Sequence, residues 1–229
     1  MKRTPPVIAL LALLTLLIAP LGVPAVHAEA PSSEADSPAG VLDQPARAWS
    51  FDRWIRTAPM TQQELRGKVV LLRWWTNGCH YCQSTLPELE ALRTRYGAHG
   101  LVVIGVFHPK PQRHVQDRWV AAVADSLGFH GPLAVDERWS TLERWWLDGH
   151  PDRNWTSVSF LIDAKGVVRW VHTGGEYHPS DDPRHRTCDL ESRELEKTIQ
   201  ALLADPATKT AGAAMPAAAT ARRAGSSTR

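Results

Sequence analysis

The chain has 229 residues, 43% of them hydrophobic, which is enough for one domain with a sizeable core. Its three cysteines are too few for a small scaffold whose stability depends on several disulfides. Without Lys2 and Arg3, the 26 basic residues fall to 24 and equal the 24 acidic residues. This balance provides no basic stripe for binding nucleic acid or an anionic membrane surface.

The first 28 residues have the pattern of a secretory signal peptide. Lys2 and Arg3 precede the uncharged apolar stretch 7–19, and the small-residue pattern 26–28 predicts cleavage before Glu29. An uncleaved membrane anchor is the alternative, but the apolar stretch is shorter than the roughly 20 residues that a spanning helix needs. We therefore expect an exported, periplasmic protein.

Two segments of biased composition flank the predicted domain. Residues 29–48 are rich in proline, alanine, serine and aspartate without an apolar period, which is typical of a flexible leader. Residues 205–229 have almost no large apolar side chains, so we predict a disordered, alanine-rich tail. The folded domain is then expected over residues 49–204, a common domain size.

Helix and strand patterns alternate in the first half of this domain. A capping-box pattern predicts a short helix over residues 61–68. The apolar run 69–76 predicts a strand that is buried on both faces. Apolar residues then follow helical spacing between 86 and 96, and the run 101–107 predicts a second buried strand.

The second half continues this alternation and ends with a hairpin and a helix. Apolar residues at every fourth position predict a helix over 115–127, and a short strand is expected at 132–136. The tryptophan-rich stretch 139–146 has the spacing of one helix face. Residues 158–172 contain two apolar runs joined by a short turn, which predicts an antiparallel hairpin, and residues 195–203 a closing helix. Together these elements predict an α/β fold with a central mixed sheet flanked by helices.

Cys79 and Cys82 lie between the first core strand and the start of the following helix. Unsatisfied N–H groups and the dipole at a helix N-terminus favour a thiolate over a thiol. The first cysteine of such a pair can have a pKa of roughly 3.5–7. The second cysteine, about one turn later, can attack a mixed disulfide formed on the first. The pattern favours thiol–disulfide exchange, and the alternatives are a permanent structural disulfide or half of a zinc site.

The stretches "ELRGKVVLLRWWTNGCHYCQSTLPELEAL" and "VSFLIDAKGVVRWVHTGG" resemble the exported thioredoxin-like proteins of the TlpA and ResA type. The resemblance covers residues 49–203 and implies a thioredoxin-like fold with disulfide reduction or exchange. It implies that Cys79 attacks, that Cys82 resolves, and that Trp75 packs beside the pair. It also implies a redox-active Cys79–Cys82 disulfide and no other cofactor.

Four positions depart from the pattern of this family. Gly78 stands where a tryptophan is frequent, and Thr85 stands where many members have a glutamate. Arg73 replaces the buried carboxylate of thioredoxins; a cation there would lower the pKa of a nearby thiol, unless it points away to a salt bridge. Ser157 replaces the usual cis-proline. Because a cis bond without proline costs roughly 2.5–4 kcal/mol, we predict a trans Thr156–Ser157 bond.

Three further residues near the pair are candidates for a functional role. His80 and Tyr81 lie between the cysteines, where side chains tune the redox potential. His108 ends the second core strand at the same sheet edge. It is a candidate for proton transfer or for a third ligand, and a solvated loop histidine is the alternative.

Cys188 has no predicted partner once the other two cysteines pair. Several metal-capable residues lie near it in the sequence, namely His172, Glu176, His178 and His185. A polar, irregular loop explains these residues more simply than a metal site does, so no metal centre is predicted.

The main functional hypothesis is an exported thiol–disulfide oxidoreductase of the protein-disulfide reductase type. We expect it to be a monomer that acts on protein disulfides, to be regenerated by a membrane-bound thiol electron donor, and to bind no nucleic acid. The alternative is a thioredoxin-like copper carrier that uses Cys79, Cys82 and either His108 or His172, because soft thiolates suit Cu(I).

Overall fold

A computed structural model of the chain describes residues 37–206 and residue 208. These residues form a six-stranded mixed sheet with helices packed against it. Strands β1 to β6 are Arg53–Ile55, Val69–Trp75, Leu101–Phe107, Leu133–Val135, Ser159–Ile162 and Val168–His172. Helices α1 to α4 are His80–Tyr96, Asp117–Ser126, Ser140–Leu142 and Arg186–Ala204.

The strand order in the sheet is β1–β4–β3–β2–β5–β6. Strands β2, β3 and β4 are parallel to one another, whereas β1 and β5 are antiparallel to their neighbours β4 and β2. The antiparallel pair β5–β6 forms the C-terminal hairpin, and α4 follows it. The predicted mixed sheet with a C-terminal hairpin and helix is therefore confirmed.

Strand β2 lies in the middle of the sheet, and all seven of its residues are buried. Because side chains alternate along a strand, Leu71 and Trp75 join the core on one face, while Leu72 and Trp74 join the core on the other. Coverage on both faces explains why the sequence of β2 is almost continuously apolar.

The face that contains Trp75 is covered by α1, α2 and α4. Leu86 and Leu89 of α1, Val120 of α2 and Leu195 of α4 are fully buried in this layer. Burial of each leucine or valine side chain contributes roughly 1.5–3 kcal/mol. This packing fixes the position of α1, whose first turn carries the cysteine pair.

The opposite face is packed with aromatic side chains. The stretch predicted as one helix over 139–146 forms the short α3 followed by a π-helical turn, Glu143–Leu147. Trp145 from this turn lies 6.0 Å from the ring of Trp74 and 5.3 Å from the ring of Phe160, measured between centroids. Such tilted and edge-on aromatic contacts stabilise a core beyond the area they bury.

Asp136, directly after β4, is a fully buried carboxylate that holds this second layer to the sheet. It accepts hydrogen bonds from the amides of Thr141 and Leu142 and from Nε1 of Trp74, at 3.2, 2.9 and 3.2 Å. Burial raises the pKa of Asp136, and the three donors oppose that shift. One side chain thus connects the start of α3 to the central strand.

Two local predictions differ from the structure. Residues 61–68 form turns rather than a helix, although the amide and hydroxyl of Thr61 both donate to Oε2 of Glu64 at 2.8 Å. A single capped turn does not offset the cost of helix nucleation. Strand β1 was not predicted, because three residues are too short to show a period of two.

Residues 37–48 of the predicted leader belong to the folded domain instead. The side chain of Val41 is buried in the second layer. The amides of Asp43 and Ala46 donate to the carbonyls of Val168 and Gly166, both at 2.9 Å. This pairing with the hairpin β5–β6 is a long-range contact that local composition does not reveal.

The remaining domain predictions concern the two ends of the chain. The signal peptide, residues 29–36 and most of the tail 205–229 lie outside the described residues. Within the described part of the chain, none of the helices is both long and apolar enough to cross a lipid bilayer.

Replacing Asp136 by alanine should lower the free energy of unfolding by at least about 2 kcal/mol, because it leaves three buried donors without an acceptor. Urea denaturation followed by tryptophan fluorescence measures this loss. The exposed Asp152→Ala serves as the control and should unfold like the wild type. Equal midpoints for Asp136→Ala and the wild type would contradict this role.

Candidate active site at the Cys79–Cys82 disulfide

The cysteine pair lies at the N-terminus of α1, directly after β2. Cys79 is the N-cap residue of the helix, and its side chain makes no capping hydrogen bond. Gly78 precedes it with a φ of 74°, which favours glycine, and a Cβ there would meet open space. The glycine at this position therefore serves the backbone turn that leads from the strand into the helix.

Cys79 and Cys82 form a disulfide, with Cα atoms 5.3 Å apart. The Cys82 amide donates to the Cys79 carbonyl at 3.1 Å, as expected in the first turn of a helix. Cys79 is partly exposed, whereas Cys82 is fully buried. This asymmetry makes Cys79 accessible to another molecule and leaves Cys82 accessible only from within the protein.

Ser157 lies across from the pair, two residues before β5. Its Oγ is 3.6 Å from Sγ of Cys79 and 3.7 Å from Sγ of Cys82. Disulfide sulfurs carry no proton, so the Ser157 hydroxyl is the donor in this state. Among the described residues, the cis peptide is Lys110–Pro111. The predicted trans Thr156–Ser157 bond is therefore confirmed.

His108 follows β3 and is fully buried, which contradicts the alternative of a solvated loop histidine. Its Nε2 lies 2.8 Å from Oγ1 of Thr156, the residue before Ser157. Burial lowers the pKa of His108 to about 3, and the charges of Lys110 and Arg73 add to that effect. The ring is thus neutral at neutral pH and supports the segment that carries Ser157.

Trp75 is fully buried in the same core cluster as Cys82, with Cys79 packed against that cluster. Its ring meets Phe107 edge-on, with centroids 4.8 Å apart. A Cβ at position 105 would lie 3.2 Å from Nε1 of Trp75, so Gly105 leaves room for the indole. The expected packing of Trp75 beside the pair agrees with this cluster.

Arg73 is fully buried on the same face of the sheet and is directed towards the loop after β6. Nη1 donates to Oγ of Ser159 at 3.3 Å, and Nη2 donates to the Gly175 carbonyl at 2.8 Å. Its guanidinium lies 5.6 Å from the ring centroid of Tyr177. Burial lowers the pKa of Arg73, while Tyr177 and Glu176 raise it. The alternative of a salt bridge is wrong, since the hydrogen-bond acceptors are neutral oxygens.

A buried carboxylate does occur on α1, six residues after Cys82, at Glu88. It accepts a hydrogen bond from Oγ of Ser192 in α4 at 3.2 Å, and burial raises its pKa. At the position of the frequent glutamate, the Thr85 hydroxyl donates to the Tyr81 carbonyl at 2.9 Å. Sequence reasoning missed Glu88 because a charged residue within a helix pattern is usually assigned to the solvent face.

Residues 56–187 match the model of the Redoxin family, which is more than half of the chain and includes both cysteines and Ser157. The chain belongs to the Redoxin family.

Relatives and solved structures agree with this assignment. Protein DipZ of Mycobacterium tuberculosis is 34% identical over 132 residues, which are 56% of this chain and 18% of that protein. Thiol-disulfide oxidoreductase ResA of Halalkalibacterium halodurans is 30% identical over 113 residues, 49% of this chain and 58% of that protein. The chain thus spans less than two thirds of either relative.

A solved thioredoxin-like protein in its oxidized form covers 71% of this chain and 97% of its own, with a TM-score of 0.53 and 21% identity. It confirms the thioredoxin-like fold, and ResA confirms the resemblance to proteins of the TlpA and ResA type.

In this member of the Redoxin family, an exposed aromatic rim borders the disulfide. Tyr81 and Trp155 are 36% and 41% exposed, and their ring centroids are 5.6 Å apart. His80 is exposed and lies 5.9 Å from the Tyr81 ring. A Cβ at position 174 would lie 2.5 Å from Cγ of Trp155, so the indole packs directly against the backbone of Gly174. The sequence analysis did not identify Trp155. This residue lies in the segment that leads into β5, and that segment places its ring beside Tyr81.

The residues around Cys188 separate into two groups. Glu176, His178 and His185 gather at Cys188 with ligand atoms within 4.8 Å of one another. His172 is instead buried and contacts Oε2 of Glu191 at 3.2 Å. The structure therefore brings together four of the five metal-capable residues.

The buried His108 should make the protein sensitive to acid. Its pKa of about 3 in the folded state lies below the roughly 6.5 of an unfolded chain, so unfolding takes up a proton between these values. The contribution of the neutral, buried ring to the free energy of unfolding is fully present above pH 6.5. It is lost as the pH falls towards 3, by up to about 1.4 kcal/mol per pH unit. His108→Gln should reduce this slope, as measured by urea denaturation between pH 7 and pH 4.

The exposed His150→Gln controls for loss of a surface histidine in the same experiment. A slope for His108→Gln as steep as that of the wild type would contradict burial of a neutral ring.

Ser157→Ala should make reduced Cys79 a poorer nucleophile near neutral pH. A hydrogen bond to a charged group contributes roughly 1.5–3 kcal/mol, so the midpoint pH of Cys79 alkylation should rise by about one unit. Iodoacetamide kinetics across pH, with the modified peptide identified by mass spectrometry, provide the measurement. Ser84→Ala, at the start of the second turn of α1, is the matched control. An unchanged midpoint for Ser157→Ala would exclude this role of the hydroxyl.

Proposed function

We propose that the protein is an exported thiol–disulfide oxidoreductase of the protein-disulfide reductase type, with Cys79 and Cys82 as its redox pair. The observation that carries this proposal is the disulfide at the start of α1, with one sulfur partly exposed and the other buried. The Redoxin family assignment and the similarity to a relative named thiol-disulfide oxidoreductase support it.

The proposed reaction starts from the reduced pair. The Cys79 thiolate attacks a disulfide of a partner protein, one partner sulfur leaves as a thiolate and is protonated, and a mixed disulfide forms. Cys82 then loses its proton and attacks the sulfur of Cys79, which releases the second partner thiol. The partner gains two electrons and two protons, and the Cys79–Cys82 disulfide forms, which is the state of this structure.

The surroundings of Cys79 favour the thiolate that this reaction needs. The sulfur lies at the positive end of the α1 dipole, and the Ser157 hydroxyl is within 3.6 Å to donate to it. The neutral ring of His108 contributes no charge at neutral pH. The positive charge of Arg73 is buried on the same face of the sheet, where Ser159 and the Gly175 carbonyl hold its guanidinium.

The aromatic rim formed by Tyr81 and Trp155 is the proposed docking surface for the partner. Exposed aromatic side chains are enriched in the buried centres of protein interfaces. Both residues line a groove that continues along Gly174 to Glu176 and Cys188. A polypeptide in this groove would present its disulfide to Cys79.

We further propose that a monomer carries out the exchange outside the cytoplasm and that a membrane-bound thiol protein regenerates the dithiol. Export is supported by the signal-peptide pattern of residues 1–28. Each turnover transfers both electrons of the reduced pair to the partner protein. An external dithiol must therefore reduce the Cys79–Cys82 disulfide before the next turnover.

The copper-carrier alternative receives less support from the geometry. It needs a histidine beside the cysteines, but Nε2 of His108 contacts Thr156 and Nε2 of His172 contacts Glu191. A Cu(I) site that used either histidine would therefore depend on its Nδ1, which is buried without a hydrogen-bond partner in both rings.

Cysteine variants test the reductase proposal directly. With insulin as the model disulfide protein and dithiothreitol as reductant, the wild type should accelerate reduction, and Cys79→Ser should fall to the uncatalysed rate. Reduced Cys82→Ser, mixed with insulin after dithiothreitol has been removed, should accumulate a mixed disulfide, because the resolving thiol is missing. Mass spectrometry of the adduct should locate the bond at Cys79.

The exposed Gln83→Ala is the control, with activity equal to that of the wild type. Turnover that survives Cys79→Ser would overturn the proposal. Tight Cu(I) binding by the reduced protein together with no disulfide turnover would establish the carrier instead.

A further inference from the structure

Four metal-capable side chains meet where the loop after β6 returns to the start of α4. They are Glu176, His178, His185 and Cys188. One ligand atom from each lies within 4.8 Å of all the others. The first two lie in the loop, His185 is the N-cap residue of α4, and Cys188 lies in its first turn.

The two loop residues direct unpartnered polar atoms into this cluster. The Glu176 side chain is only 10% exposed, and its Oε2 is buried without a hydrogen-bond partner. Nε2 of His178 is likewise buried without one, 3.9 Å from that oxygen. A buried acceptor without a partner destabilises the folded state, so such atoms are rare unless an ion or water binds them.

The tautomer of His178 suits metal binding. Its Nδ1 lies 3.1 Å from the Pro179 carbonyl, which can only accept, so Nδ1 carries the proton in the neutral ring. The lone pair is then on Nε2, the atom that faces the cluster. Histidine ligands of metals almost always donate their other ring N–H in this way.

One ring nitrogen of His185 lies between the side chains of Glu176 and Cys188. Nδ1 is 3.4 Å from Oε1 of Glu176 and 3.8 Å from Sγ of Cys188. A cation between these three atoms would bind all of them at once.

The spacing and chemistry of the cluster match tetrahedral Zn²⁺. Zinc bonds of about 2.0–2.3 Å to nitrogen, oxygen and sulfur place neighbouring ligands roughly 3.3–3.7 Å apart. The observed separations are 3.4 Å from His185 Nδ1 to Oε1 of Glu176, 3.8 Å from the same nitrogen to Sγ of Cys188 and 3.9 Å from His178 Nε2 to Oε2 of Glu176. The four ligand atoms lie within 4.8 Å of one another, so binding requires the loop to contract around the ion. A thiolate and a carboxylate also neutralise the charge of a divalent cation.

We propose that Glu176, His178, His185 and Cys188 bind a Zn²⁺ ion that fastens the loop after β6 to the N-terminus of α4. Four protein ligands fill a tetrahedron and leave no open position, which is the pattern of a structural rather than a catalytic zinc site. This proposal stands independently of the redox function proposed above.

The ion would act on the redox site in two ways. It would fix the loop that contains Gly174 and Gly175, which contact Trp155 and Arg73. It would also occupy the thiolate of Cys188, which lines the same groove as Tyr81, and so keep a third sulfur out of disulfide exchange.

The test uses the full chain with the Cys79–Cys82 disulfide intact, so that the redox pair cannot bind metal. Competition with a chromophoric chelator should show one Zn²⁺ per chain, and Co²⁺ in its place should show a thiolate charge-transfer band with intense tetrahedral d–d bands. Cys188→Ser should abolish the charge-transfer band, and His185→Ala should weaken Zn²⁺ binding by at least about tenfold. Zn²⁺ should also protect Cys188 from Ellman's reagent until EDTA is added.

Two controls make the result decisive. The surface variant His150→Ala and the double variant Cys79→Ser/Cys82→Ser should both bind Zn²⁺ like the wild type. Circular dichroism in EDTA shows whether each variant is folded. If Cys188→Ser or His185→Ala is not folded, Zn²⁺ binding is measured on the conservative variant Glu176→Gln in its place. Zn²⁺ binding that is unchanged in Cys188→Ser, or lost in the double variant, would overturn the proposal, as would a Co²⁺ spectrum without thiolate bands.

Discussion

The parallel pairing of β2 with β3 is the constraint on which the redox site depends. Trp75 lies opposite Phe107 where both strands end, so the chain leaves the sheet there and enters α1 after four residues. Strand β5 runs antiparallel to β2 with Ser159 opposite Arg73, which brings the residues before β5 to the same edge. Ser157 therefore reaches the cysteines as a consequence of register.

Much of this arrangement is encoded locally. The apolar runs of β2 and β3 predict central strands because both faces are covered, and the position of Cys79 follows from the strand that precedes it. The position of Ser157 opposite the pair is predicted by the resemblance to the TlpA and ResA type, aligned on Phe160, and not by a local pattern.

Other features depend on contacts between distant segments, which a single sequence does not display. Residues 37–48 have the composition of a leader, yet their amides pair with the hairpin β5–β6. His108 has the sequence context of a loop residue, but it is buried in the structure, where its ring contacts the hydroxyl of the distant Thr156. The groups around Arg73 and Cys188 likewise assemble only when the loop after β6 folds back.

The exchange of a buried acid for Arg73 changes the electrostatics of the core beneath the pair. Its guanidinium is held by Ser159 and Gly175, and the Ser159 hydroxyl also contacts the Tyr177 hydroxyl at 3.0 Å. Burial raises the pKa of Tyr177 to about 12, so the phenol stays neutral. The buried charge beneath this part of the sheet is therefore a cation held by neutral oxygens, whereas the buried acid of α1 is Glu88.

The contact between Gly174 and Trp155 has a consequence for the evolution of partner choice. Because even a methyl group at position 174 would collide with the indole, this position in the groove accepts no side chain while Trp155 keeps its place. Variation in the contacts that this groove offers a partner therefore falls to its other lining side chains, such as Tyr81, Thr187 and Glu191.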